Sequence, residues 1–310
     1  MMRGSLFLIA ATVSGLQAQT QLLIVSGLGG DPKYTQEFGQ LSGALAKAAS
    51  ERAGLPDSAI TWLGEKGSPT SPWYRGLSSR ANLEQVFQRL ASGGDAPVVV
   101  ILIGHGSGEG AETRVSLPGP DMTAADFAGA LAKFGMRPIA FLNLASASGD
   151  MLELLAAPSR VVMTATKSAF ERNESRFARY FVDALALDGA DTDKDGRVSL
   201  LEAFRFAEAE TERFYENETR LATEHAQMAD EGMLAGRFFL SSGAAGAGPA
   251  SGRLAELYRE RNALDEQIQA LKAKKGTMAT AAYDSELEKL LVALAQKSRE
   301  IRDLEKGGGS

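Results

Sequence analysis

Five stretches of the chain are short, continuous and apolar: QLLIVSG at 21–27, AITWL at 59–63, PVVVILIG at 97–104, PIAFLNLA at 138–145 and RVVMTAT at 160–166. Three are runs rich in Val, Ile and Leu with no polar alternation, the pattern of strands covered on both faces. Between them the apolar spacing changes to three and four. Phe38, Leu41 and Leu45 share one side of a helix, as do Leu83, Val86, Phe87 and Leu90, and then Phe127, Leu131 and Phe134. The last set follows TAAD, where Thr123 and Asp126 resemble a capping box. Strands alternating with helices predict an α/β sandwich around a mainly parallel sheet over residues 19–240.

The pattern then changes. Residues 241–252, SSGAAGAGPASG, have no periodicity and read as a flexible linker. Beyond them Leu257, Arg261, Leu264, Ile268 and Leu271 step by four and three. After the break GTMATAA, Leu287, Leu291, Leu294 and Ile301 share a second face. This predicts an antiparallel helical hairpin of coiled-coil type over 253–306, with Arg261 and Ser298 interrupting its seams. Such a hairpin offers a surface for self-association. At the other end, residues 1–18 place one Arg before a short apolar run and then small and polar residues. That order is a signal peptide and predicts export, to a periplasm or outside the cell. No stretch approaches the ~18 apolar residues of a membrane-spanning helix.

Charge and cysteine content narrow the chemistry. A net charge of −6 argues against a nucleic-acid surface. The absence of Cys excludes disulfides, thiolate metal sites and a thiol nucleophile, and two His argue against an imidazole-rich metal site. The glycine loops SGLGGD (26–31) and GHGSGEG (104–110) match neither the dinucleotide fingerprint nor a phosphate-binding loop.

One segment has the spacing of a calcium loop. In DTDKDGRVSLLE, Asp191, Asp193 and Asp195 offer carboxylates from alternate positions and Gly196 permits the turn. Arg197 offers its carbonyl, Ser199 acts through water, and Glu202 closes the site bidentately. This is the twelve-residue EF-hand order, and helical patterns flank it on both sides. MADEG at 228–232 is at best a vestige of a second loop.

A second group lies where parallel strands end. The strand at 97–104 delivers His105 and Gly106, and the strand at 138–145 delivers Ser146. In neighbouring strands these can form a dyad, with the Gly106 amide as oxyanion donor. They can equally be turn residues or the lining of a ligand pocket. The motifs GHGS and ASASGDM resemble those of the legumain and caspase-like cysteine peptidases over about residues 20–185. The resemblance implies a caspase-like sandwich and places the nucleophile at Ser146, where the family has Cys, with Ser148 and Gly149 matching the Ser-Gly that follows. In legumain-like members an Asn after the first strand helps orient the His; Gly29 stands there in this chain. A hydroxyl is far less acidic than a thiol and needs a well-oriented base. The resemblance therefore implies a catalytically degenerate peptidase homologue that acts by binding a peptide or protein. An active peptidase using Ser146, with His105 as general base, is the alternative. Lys167 or Glu171 can reach the same cleft, and His225 reads as a polar residue at a helix end.

Overall fold

The computed structural model describes residues 19–65, 71–193, 197–240 and 253–307. The expected signal peptide and linker, together with Asp195 and Gly196, lie outside the described residues. The strands are β1 (Gln21–Ser26), β2 (Ile60–Gly64), β3 (Tyr74–Leu77), β4 (Val98–Ile103), β5 (Gly106–Ser107), β6 (Arg114–Val115), β7 (Met122–Thr123), β8 (Ile139–Asn143), β9 (Arg160–Thr164) and β10 (Gln227–Ala229). The α-helices are α1 (Pro32–Lys47), α2 (Arg80–Ala91), α3 (Ala124–Ala132), α4 (Met151–Leu155), α5 (Phe177–Ala186), α6 (Leu200–Asn217), α7 (Arg253–Ala273) and α8 (Thr280–Gly307). All five apolar runs form strands. Thr123 and Asp126 close the expected capping box on α3.

The main sheet has the order β10-β9-β8-β4-β1-β2-β3, parallel except for β10. Its strands alternate between two cores because successive side chains point to opposite faces. Leu22 and Ile24 pack with Phe38 and Leu45 of α1, Phe177 and Phe181 of α5, and Phe204 of α6. Leu23 and Val25 pack with Phe87 of α2, Phe127 of α3, and Met151 of α4. The result is the expected three-layer sandwich. β2 and β3 extend the sheet on one side of β1, while β4, β8, β9 and β10 extend it on the other. The loops after β1 and β4 therefore diverge and open a crevice at the carboxyl edge. A small antiparallel sheet, β5-β6-β7, stands beside this crevice directly after His105.

α7 and α8 pack antiparallel: Arg253 lies 3.6 Å from Glu300, and Lys297 lies 2.8 Å from Glu260. The buried positions differ in part from the expected seams. Leu257, Ile268, Leu271, Leu294 and Ile301 are buried, but Leu291 is 42% exposed. Arg261 and Ser298 are buried instead of interrupting the contact. The Ser298 hydroxyl donates to the Leu294 carbonyl one turn back, which satisfies it inside α8. Leu257, Tyr258 and Ile301 cluster with Phe239 of the sandwich. The hairpin thus packs on the body as well as on itself. Among the described residues, no helix is long and apolar enough to cross a membrane.

Candidate functional site

β4 ends at the crevice and delivers His105. Its ring meets the edges of Tyr34 at 4.7 Å and Phe38 at 5.0 Å between centroids, both from α1. Burial holds its pKa below the usual imidazole value. Glu174, a hydrogen bond to the Gly29 backbone and Glu37 oppose that shift without cancelling it. His105 is therefore biased toward the neutral form that a general base requires.

Position 29, where the resemblance places an orienter, carries no side chain in this chain. No side chain fits at position 29, because a Cβ there would lie 2.3 Å from the Thr35 amide. Glu65 pins this segment by accepting from the Gly29 amide at 3.0 Å and the Thr35 hydroxyl at 2.7 Å. Asp31 caps α1 by accepting from the Lys33 amide at 2.8 Å.

Ser146 follows β8 and lies under β5. The Gly106 amide donates to its hydroxyl oxygen at 3.4 Å, and Gly106 has no room for a Cβ, which would fall 2.3 Å from the Ser146 carbonyl oxygen. Ser146 is 3% exposed, and among the described residues no hydrogen bond joins it to His105. The next residue, Ala147, has φ +52°, a left-handed backbone that costs a non-glycine residue roughly 1–2 kcal/mol. Its amide donates to the Glu171 carbonyl at 2.8 Å.

Ser148 has a different place. Its Oγ accepts from the Ala165 amide at 3.1 Å, and the Thr166 hydroxyl accepts from the Ser148 and Gly149 amides at 2.8 and 3.0 Å. It ties the turn to the end of β9. Glu171 binds the next layer: its carboxylate accepts from the Lys167 amide at 2.9 Å and the His225 amide at 3.0 Å, and lies 2.5 Å from His225 Nδ1. His225 is not at a helix end; it precedes β10, and this pair fastens that segment to the turn. Lys167 is exposed, with its ammonium 3.7 Å from Glu171.

The acidic loop lies between α5 and α6. One oxygen each of Asp191, Asp193 and Glu202 lies within 4.8 Å of the others. Oxygens bound 2.3–2.6 Å from one calcium ion can be no farther apart than about 5 Å, so this donor set fits the ion. The Ser199 hydroxyl caps α6 by accepting from the Glu202 amide at 3.2 Å and donating to the Glu202 carboxylate at 2.8 Å. The other carboxylate oxygen accepts from the Thr192 amide and hydroxyl, both at 3.0 Å, and from the Asp193 amide at 3.3 Å. Glu202 thereby draws the two ends of the loop together. The Arg197 guanidinium stacks on Phe239 at 4.1 Å.

Two features of this loop were not expected from the sequence. Ser199 forms an antiparallel bridge with Phe239, and the Leu200 amide donates to the Phe238 carbonyl at 2.9 Å. The loop's exit is thus paired by residues 238–239 and not by MADEG, whose Asp230 instead accepts from the Leu234 and Ala235 amides at 2.7 Å. Second, Arg261 of α7 lies 3.0 Å from the Asp193 carboxylate, with both side chains 4% exposed.

No family model and no curated protein matches the chain. Among solved structures, the Drosophila initiator caspase Dronc aligns with a TM-score of 0.45 and 11% identity, covering 74% of this chain and 88% of that one. A second, drICE, aligns with a TM-score of 0.40 and 10% identity, covering 70% of this chain and 91% of that one.

Proposed function

We propose that this is an exported, calcium-binding peptidase homologue whose Ser146 centre is catalytically idle and which acts by binding a peptide or protein. The observation that carries the idle reading is the state of Ser146. Its hydroxyl is buried, accepts from Gly106, and has no hydrogen bond to His105. A serine nucleophile needs a base within about 2.6–3.2 Å and a free oxyanion donor. Here the Gly106 amide points at the hydroxyl itself. The motif order His105-Gly106 and Ser146-x-Ser148-Gly149 supports the peptidase kinship. Calcium binding is supported by the loop's residue order and by the 4.8 Å donor set. Export rests on the pattern at residues 1–18.

Two observations favour a second reading, an active serine peptidase. Burial biases His105 toward the neutral form of a base, and Ala147 holds a strained backbone next to Ser146, as residues at working nucleophiles do. Hydrolysis of a mixed peptide library by the purified protein separates the two. The idle centre predicts cleavage no faster than background. Turnover that disappears in both Ser146→Ala and His105→Ala supports the active reading instead.

A further inference from the structure

The guanidinium against Asp193 comes from a part of the chain that the loop's own sequence does not mention. It is buried as deeply as the carboxylate, and it is held there by more than charge. A second nitrogen of Arg261 donates to the Gly236 carbonyl, and the next residue, Asn262, donates to the Met233 carbonyl at 3.5 Å. Phe239 packs against Leu257, Tyr258 and Ile301 of the hairpin while its backbone bridges Ser199 at the loop's exit. Residues 233–240 therefore contact the acidic loop on one side and α7 on the other. The loop and the hairpin share one boundary.

We propose that Arg261 is the internal cation of the acidic loop, and that calcium and the docked hairpin compete for the Asp193 carboxylate. This rests on the calcium reading of the loop. Coordination requires Asp193 oxygen at 2.3–2.6 Å from the ion. A guanidinium 3.0 Å from the same carboxylate would then sit within a few ångströms of a divalent cation, with almost no water between them to screen the repulsion. One of the two cations leaves. When calcium enters, Arg261 swings out and the α7 contact with Gly236 and Met233 loses its anchor. Linkage makes the effect reciprocal: a docked hairpin weakens calcium binding by the same factor that calcium weakens docking. Calcium then acts as a release signal for the C-terminal helices.

Hydrogen exchange of the full chain, in saturating calcium and in chelator, reads the docking without any substitution. The expected result is faster exchange in calcium for amides of α7 around Leu257–Leu264, with α1 unchanged. Calorimetry on Arg261→Met gives the reciprocal arm: calcium binding roughly tenfold tighter than in the unmutated protein. If that variant does not fold, the exchange result on the unmutated chain decides alone. Calcium binding accompanied by unchanged or slower exchange in α7 overturns the competition and leaves the calcium reading standing. No calcium heat and no exchange difference in the unmutated protein overturns both.

Discussion

The crevice around His105 and the loop around Asp193 are held by different kinds of atom. In the crevice the decisive partners are peptide groups: the Gly106 amide on Ser146 and the Glu171 carbonyl on the Ala147 amide. The sheet places these groups, so the arrangement persists whatever side chain stands at 146. In the loop the organising groups are ionised side chains: Glu202, whose carboxylate gathers the Thr192 and Asp193 amides, and Asp193, which meets Arg261 from a helix beyond the sandwich. The crevice geometry therefore does not rest on ionised groups, whereas a buried charge cluster depends on every member. The two regions should respond to substitution in correspondingly different ways.

The largest effect is expected at Arg261. Removing one partner of a buried ion pair strands the other and costs about 3–5 kcal/mol. Arg261→Met should lose that much in urea unfolding measured in chelator, and Asp193→Asn with Arg261→Met should recover most of it. Equal losses in the single and double variants would assign the contact to packing instead of charge.

Calcium should come next. A ligand that binds only the folded state adds about 2.7 kcal/mol at a hundred times its dissociation constant. Unfolding in calcium and in chelator should differ by that order, and Glu202→Gln should remove the difference. Identical curves for the unmutated protein would dismiss the calcium loop.

Within the crevice the contrast is between neighbours. Ser148→Ala strands the buried Ala165 amide and should cost about 2 kcal/mol. Ser146→Ala removes only a long bond from Gly106 and should cost about 1 kcal/mol or less. A reversed order would mean that Ser146, and not Ser148, anchors the turn.

The smallest effect is a pH slope. Burial lowers the His105 pKa below its unfolded value near 6.5, so between the two values the unfolded chain holds more protons. The neutral ring's stabilising contribution is complete above pH 6.5 and is lost as pH falls through that value toward the folded pKa. Unfolding between pH 7.5 and 5 should show this slope, and His105→Gln should flatten it. An unchanged slope in the variant would place the titration elsewhere.

Much of the fold was legible because its strands are buried on both faces and unbroken, so β1, β4 and β8 could not be mistaken for surface segments. β3 was not: its alternation is short, with Gly76 in its middle, and it sits at the sheet edge. β10 is three residues long and pairs with β9 alone, at the other edge of the sheet. In the crevice, motif order brought His105 and Ser146 to one place, but no residue type announces a backbone partner such as the Glu171 carbonyl that holds the Ala147 amide. In the loop, spacing found Asp191, Asp193 and Glu202, while Arg261 was assigned to a helical seam by its period. An Arg at a buried seam position needs a counter-ion, but no spacing in the sequence names Asp193 as that partner.

An idle centre requires that the Ser146 hydroxyl is not activated. The most direct measurement is intact-mass analysis after exposure to a panel of serine-reactive diphenyl phosphonates, with and without calcium. No adduct is expected under either condition. An adduct on Ser146 that disappears in His105→Ala would contradict it and make this centre a working serine nucleophile.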